Sequence, residues 1–152
     1  MFARHPDIPM EPIEALDEVA AKLLQLSGDR RIWLFEGDLG AGKTTLIKHL
    51  CDHLGVQNQV QSPTYSLVNE YRAADGLPVF HFDLYRLKNT REAYEIGIDE
   101  YLDSGSYCFV EWPEVAHSIW PEDSFRLLLK RDGSGKRVIS PYAGLNISST
   151  IQ

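Results

Sequence analysis

The chain has 152 residues, a length that fits one domain with a sizeable core. Its apolar share of 43% is ordinary for a globular protein, no stretch approaches the ~18–20 apolar residues of a membrane span, and a net charge of −7 argues against broad electrostatic binding of nucleic acid by this chain alone. Segment 1–12 lacks the apolar run of a secretory signal, and the two cysteines, Cys51 and Cys108, fall in helical and apolar surroundings, so both are expected as buried thiols of a cytoplasmic protein.

In chain order, the pattern first predicts an amphipathic helix from Pro12 to Ser27, with Ile13, Leu16, Ala20 and Leu23 on one face and Gly28 just past its end. Ile32 to Phe35 is an apolar run expected to form a strand buried on both faces. Gly37-Asp38-Leu39-Gly40-Ala41-Gly42-Lys43-Thr44 follows and matches the phosphate-binding pattern G-x-x-x-x-G-K-[ST]. Small residues there let the backbone wrap a polyphosphate with its N–H groups pointing inward, and the next helix adds the positive end of its dipole. Lys43 supplies a point charge for the β/γ-phosphates, and the Thr44 hydroxyl is placed to coordinate Mg²⁺. Leu46, Ile47, Leu50 and Leu54 recur at helical spacing before Gly55, so strand, glycine loop and helix stand in the order the motif needs.

Ser62-Pro63-Thr64-Tyr65 is expected as a loop, since Pro63 forbids regular helix. Segments 66–71 and 78–85 read as strands joined by a hairpin at Asp75-Gly76. Asn89 with Glu92 three residues later marks a helix start, and Ile98, Tyr101 and Leu102 lie in a helical stretch between Gly97 and Gly105. Tyr107 to Trp112 is a further apolar strand stopped by Pro113, and 125–130 with 137–140 form a last hairpin. The basic residues Lys130, Arg131, Lys136 and Arg137 flank Asp132-Gly133-Ser134-Gly135, which a solvated hairpin tip explains. The tail from Ser140 has no charged side chain and little pattern, and is expected to be poorly ordered. The whole, 1–152, reads as one α/β domain: a P-loop fold with a mostly parallel central sheet, antiparallel edge strands and flanking helices.

Phosphate hydrolysis also needs carboxylates near Mg²⁺ and the attacking water. Asp83 and Glu111 each end an apolar strand, at the sheet end where the glycine loop emerges, so both could face one metal site. Thr64 lies where nucleotide-sensing loops commonly run, though a plain turn threonine fits its spacing equally. His49 and His53 stand i,i+4, but no third metal ligand is evident and a polar helix face is the simpler reading. His81 is expected as a packed or hydrogen-bonded strand residue. No N-K-x-D segment reads guanine, few arginines lie near the motifs, and no arginine-bearing lid is seen.

From about Leu34 to Glu114 the chain resembles the TsaE family (older name YjeE), small bacterial ATPases of threonylcarbamoyladenosine tRNA modification. The resemblance rests on Gly37 to Thr45, Ser62-Pro63-Thr64-Tyr65, His81-Phe82-Asp83-Leu84-Tyr85-Arg86-Leu87, Gly97-Ile98 and Val110-Glu111-Trp112-Pro113-Glu114. It implies ATP and ADP as ligands with Mg²⁺, held by Asp38, Leu39, Gly40, Ala41, Gly42, Lys43, Thr44 and Thr45, with Trp112 near the nucleotide. It also implies Asp83 as a magnesium-site acid, Glu111 as the Walker-B-like acid, and Thr64 in a switch-like loop. The expected metal set is thus Thr44, Asp83 and Glu111, and the expected catalytic set Lys43, Thr64 and Glu111. As partners the resemblance implies homologues of TsaB and TsaD, with tRNA met only through their complex. A nucleotide-dependent assembly switch with incidental hydrolysis, and a small-molecule kinase, remain as alternatives.

Overall fold

Three of the apolar runs become the parallel centre of a sheet, joined by a fourth strand from the last hairpin. The computed structural model describes residues 2–63 and 67–144. Its elements are β1 (Phe2–Arg4), β2 (Ile8–Pro9), α1 (Leu16–Ser27), β3 (Ile32–Glu36), α2 (Lys43–His53), β4 (Val68–Arg72), β5 (Pro78–Asp83), α3 (Thr90–Glu95), α4 (Ile98–Leu102), β6 (Tyr107–Glu111), β7 (Phe125–Arg131) and β8 (Arg137–Gly144). The strand order is β1-β8-β7-β3-β6-β5-β4, with β2 also pairing β8. β5, β6, β3 and β7 run parallel, while β4 and β8 add antiparallel edges and β1 and β2 pair antiparallel with β8. This is the α/β architecture expected from the sequence.

Strand alternation divides the core between the two faces. Trp33, Phe35, Phe109, Phe125 and Leu127 pack with α1 and α2 through Leu23, Leu46, Ile47 and Leu50. Leu34, Phe82, Cys108 and Val110 pack on the other face with Ala93, Ile98 and Ala116. Trp33 meets Phe125 and Phe109 edge-on, at centroid distances of 4.8 and 5.4 Å. Burying each such side chain contributes about 1.5–3 kcal/mol, so the two layers anchor the strand ends that carry the polar site.

Local signals are met closely. The Asn89 side chain accepts the Glu92 N–H at 3.1 Å, capping α3, and the Glu92 carboxylate accepts the Lys88 N–H at 2.7 Å. The tip 132–135 is a hairpin turn, its Asp132 carboxylate accepting the N–H groups of Ser134 and Lys136.

Two expectations change, and one segment gains structure for which the sequence gives no pattern. Ile13 is 63% exposed, because residues Ile13–Ala15 form a separate 3-10 turn after Pro12, and the buried face of α1 is made by Leu16, Val19, Ala20 and Leu23. Segment 2–9 supplies two strands, too short for any periodicity to show. Ser140 to Gly144 continue β8, paired to β7 and to β1, so the uncharged start of the tail is a strand lying between neighbours. Residues 145–152 lie outside the described residues.

Candidate active site

The chain leaves β3 at Glu36, turns through 37–42, and enters α2 at Lys43. Gly37 passes so close to β7 that a Cβ would lie 2.8 Å from the Leu129 carbonyl oxygen, and Gly42 turns into the helix at φ 100°, in the left-handed region. Lys43 is 5% exposed. Its Nζ donates to the Gly37 carbonyl and lies 3.5 Å from the centroid of the Trp112 ring. Burial pulls its pKa below the ordinary lysine value, against the opposing pull of Glu111, Glu114, Asp83 and Asp38.

Glu111 ends β6 and is 3% exposed. Its carboxylate accepts the Thr44 hydroxyl at 2.9 Å and lies 2.7 Å from His81 Nε2. The Thr44 proton is thereby committed to Glu111, so the Ser62 hydroxyl, 3.0 Å from Thr44 Oγ1, is the donor of that second bond. Asp83 ends β5 directly opposite Glu111 in the parallel register. Its Oδ1 accepts the Tyr85 N–H at 3.0 Å, yet burial pushes its pKa above the ordinary carboxylate value and the Glu111 charge adds to the rise. Trp112 adopts φ 60°, ψ 48°, a left-handed conformation costly for a bulky residue. That turn lays its ring over Lys43 and against Tyr85, at 4.9 Å between centroids.

One cavity of about 300 Å³ is lined by residues 39–45, Ser62, Asp83, Glu111, Trp112 and Arg137. Asp38 lines a neighbouring cavity of about 430 Å³ between the loop 37–41 and the β7–β8 hairpin, with Arg137 common to both. Every sequence-derived candidate but two therefore lines a single cavity. The exceptions are Asp38, one step outside it, and Thr64, which lies outside the described residues. Arg137 is one of the few arginines near the motifs: the hairpin tip is solvated, but its base reaches the glycine loop. The Thr44 hydroxyl and the Glu111 and Asp83 carboxylates form an all-oxygen set at the mouth of the loop, which suits a hard cation such as Mg²⁺ that completes its shell with phosphate and water.

His49 and His53 gain a partner the sequence did not show. Asp17 of α1 reaches them, with Oδ1 3.1 Å from His53 Nε2 and 3.9 Å from His49 Nδ1. The trio ties α1 to α2.

Strand, glycine loop and helix, with a lysine and a hydroxyl at the loop's end and acids at the ends of β5 and β6, define a single α/β domain built on a mixed sheet. The family model for "Threonylcarbamoyl adenosine biosynthesis protein TsaE" matches residues 10–139, and the chain belongs to that family. It is 38% identical over 134 residues to the tRNA threonylcarbamoyladenosine biosynthesis protein TsaE of Haemophilus influenzae, covering 80% of this chain and 84% of the relative. The corresponding protein of Rickettsia felis is 34% identical over 142 residues, covering 91% and 80%. The crystal structure of YdiB from Bacillus subtilis superposes with a TM-score of 0.74 at 28% identity, over 99% of this chain and 93% of that one.

Sequence reasoning missed two participants and the partner of a third. Ser62 bonds Thr44 and Arg137 lines the cavity, while His81, expected as a packed or hydrogen-bonded strand residue, is one whose partner is Glu111. His81 carried a signal in hindsight: it stands two residues before Asp83, hence on the same pleat of β5. Arg137 carried none, because its approach depends on how β7 pairs with β3.

Proposed function

We propose that this chain is a Mg²⁺-dependent ATPase of tRNA N6-threonylcarbamoyladenosine formation, acting on a complex of TsaB and TsaD homologues in the cytoplasm, with tRNA met through that complex. The observation that carries this reading is the convergence of Lys43, Thr44 and Glu111 in one cavity at the carboxyl ends of β3 and β6. That is where open α/β sheets bind phosphates.

In this reading the backbone N–H groups of 38–42 surround the β-phosphate. Lys43 leaves the Gly37 carbonyl and the Trp112 face to pair with the β/γ-phosphate oxygens, a move its lowered pKa does not hinder once anionic oxygens replace the carbonyl. Thr44 and Asp83, with the Glu111 carboxylate beside them, are the residues that would hold Mg²⁺, and bound there the ion would neutralise charge developing on the phosphate oxygens. Glu111, released from Thr44, orients the attacking water with His81 behind it. Thr45 completes the helix N-terminus, and the cavity beside Arg137 gives the nucleoside room. ATP rather than GTP rests on the family.

Arg137 is the one arginine lining the cavity among the described residues, so γ-phosphate charge should be poorly neutralised and hydrolysis in isolation slow. P-loop proteins commonly gain ~10³–10⁵ in rate when a partner completes the site. Steady-state phosphate release with and without the TsaB–TsaD pair tests this, with Thr64→Ala alongside to ask whether its loop transmits the effect. Clear stimulation of wild type, blunted in Thr64→Ala more than ATP binding is, is expected. No stimulation by the pair would refute partner-completed hydrolysis.

A further inference from the structure

Two consecutive residues, Gln61 and Ser62, are linked to Glu111 by separate routes. Ser62 reaches Glu111 through the Thr44 hydroxyl, by contacts of 3.0 and 2.9 Å. Gln61 reaches it through a buried chain: its carbonyl oxygen lies 3.1 Å and its backbone nitrogen 3.4 Å from the Tyr71 oxygen, the Tyr71 oxygen lies 3.1 Å from His81 Nδ1, and His81 Nε2 lies 2.7 Å from Glu111. His81 is fully buried and Tyr71 is 3% exposed, so water does not substitute for either link.

The proton inventory makes this chain directional. Glu111 as a carboxylate accepts only, so His81 Nε2 carries the proton between them. Tyr71 has one hydroxyl proton and two acceptors in reach, the Gln61 carbonyl and His81 Nδ1. Its oxygen is also met by Asn69 Nδ2 at 3.3 Å and by the Gln61 N–H at 3.4 Å. Where the Gln61 carbonyl sits thus decides which way the Tyr71 hydroxyl points, and with it the partner behind the imidazole.

We propose that Tyr71 and His81 are positioning residues that hold the Glu111 carboxylate in register with the segment Gln61–Ser62, so that the placement of this segment sets the orientation of the acid. This rests on the reading of Glu111 as the water-orienting acid of an ATPase. The two contacts come from one stretch of backbone, since Gln61 and Ser62 are joined by a single peptide bond.

The test is phosphate release from Mg-ATP by wild type, His81→Leu, His81→Gln and Tyr71→Phe, with mant-ADP affinity and melting temperature for each. His81→Leu should lose about 10² in kcat, within the range for a misplaced catalytic group, and Tyr71→Phe about tenfold, each with mant-ADP affinity within about threefold of wild type. His81→Gln, which can present an amide N–H to the carboxylate, should recover most of the loss. A role confined to packing would instead lower melting temperature in all three and leave kcat alone. Wild-type kcat in Tyr71→Phe, or a His81→Gln as slow as His81→Leu, overturns the proposal. If wild type turns over no ATP, the ATPase reading fails by itself, and imidazole nitrogen NMR on the same proteins still decides this one: the His81 signals should shift in both Tyr71→Phe and Glu111→Gln, and unchanged signals in either overturn it.

Discussion

The apolar layers and the pocket at the carboxyl end of the sheet are both buried, but they are held in opposite ways. Around Trp33, Phe109 and Phe125 each ring finds its partners among hydrocarbon, and burial itself is the stabilising contribution. Around Glu111, burial costs free energy and is offset only because Lys43, Thr44 and His81 supply matched donors or charge. The layers therefore determine whether the chain folds, and the pocket what the folded chain does. Substitutions should separate along that line.

The largest expected effect is on turnover. Glu111→Gln keeps the size of the side chain and an acceptor for Thr44, but cannot act as a carboxylate towards water. It should bind Mg-ATP and lose ~10²–10⁴ in steady-state phosphate release. Wild-type turnover in this variant would dissolve the distinction between pocket and layers.

In the layers, Leu50→Ala should cost about 2–5 kcal/mol in urea unfolding, since Leu50 is fully buried between α2 and the sheet. The folded fraction should bind mant-ADP with unchanged affinity. A matching loss of affinity would show that the layer shapes the pocket more tightly than the fold implies.

Ligand should stabilise the pocket side. At 100 times its Kd, Mg-nucleotide adds about 2.7 kcal/mol, or roughly 5–11 °C in melting temperature for a domain of this size. Lys43→Ala should lose most of that shift in a thermal scan, and an unchanged shift would remove the glycine loop from the binding site.

The smallest effect is a gain of stability without ligand. Burial raises the Asp83 pKa above its ordinary 3.8, so between the two values the folded state holds the proton more tightly than the unfolded chain. Stability then falls as pH rises from the unfolded value through the raised folded one, and the penalty persists above it. Asp83→Asn should accordingly melt slightly higher than wild type at pH 7 in the absence of metal and nucleotide, with the difference fading below about pH 4. A variant that melts lower at pH 7 would place Asp83 among the stabilising groups.

How legible each region was follows from the same physics. The glycine loop was plain in the sequence because its chemistry fixes spacing along a few residues, and β3, β5 and β6 because strands buried on both faces read as unbroken apolar runs. The acids Asp83 and Glu111 were found by their place at strand ends. The links Ser62 to Thr44 and His81 to Glu111 were not, since they join residues 18 and 30 positions apart and depend on sheet register. At the far edge, β1 and β2 span three and two residues, too few to carry a pattern. Ser140 to Gly144 looked featureless for a related reason: a strand covered by neighbours needs no charge and shows no alternation.

The central claim is that phosphate binds at the mouth of α2, where Lys43 now rests on the Trp112 ring at 3.5 Å. Tryptophan emission during a Mg-ATP titration reads that contact directly, because drawing the ammonium off the ring changes the environment of the indole. Trp33 and Trp120 are buried in opposite layers and serve as internal controls. A saturable change in wild type that disappears in Trp112→Phe is the predicted result. A full response surviving in Trp112→Phe would place the nucleotide elsewhere and contradict the account.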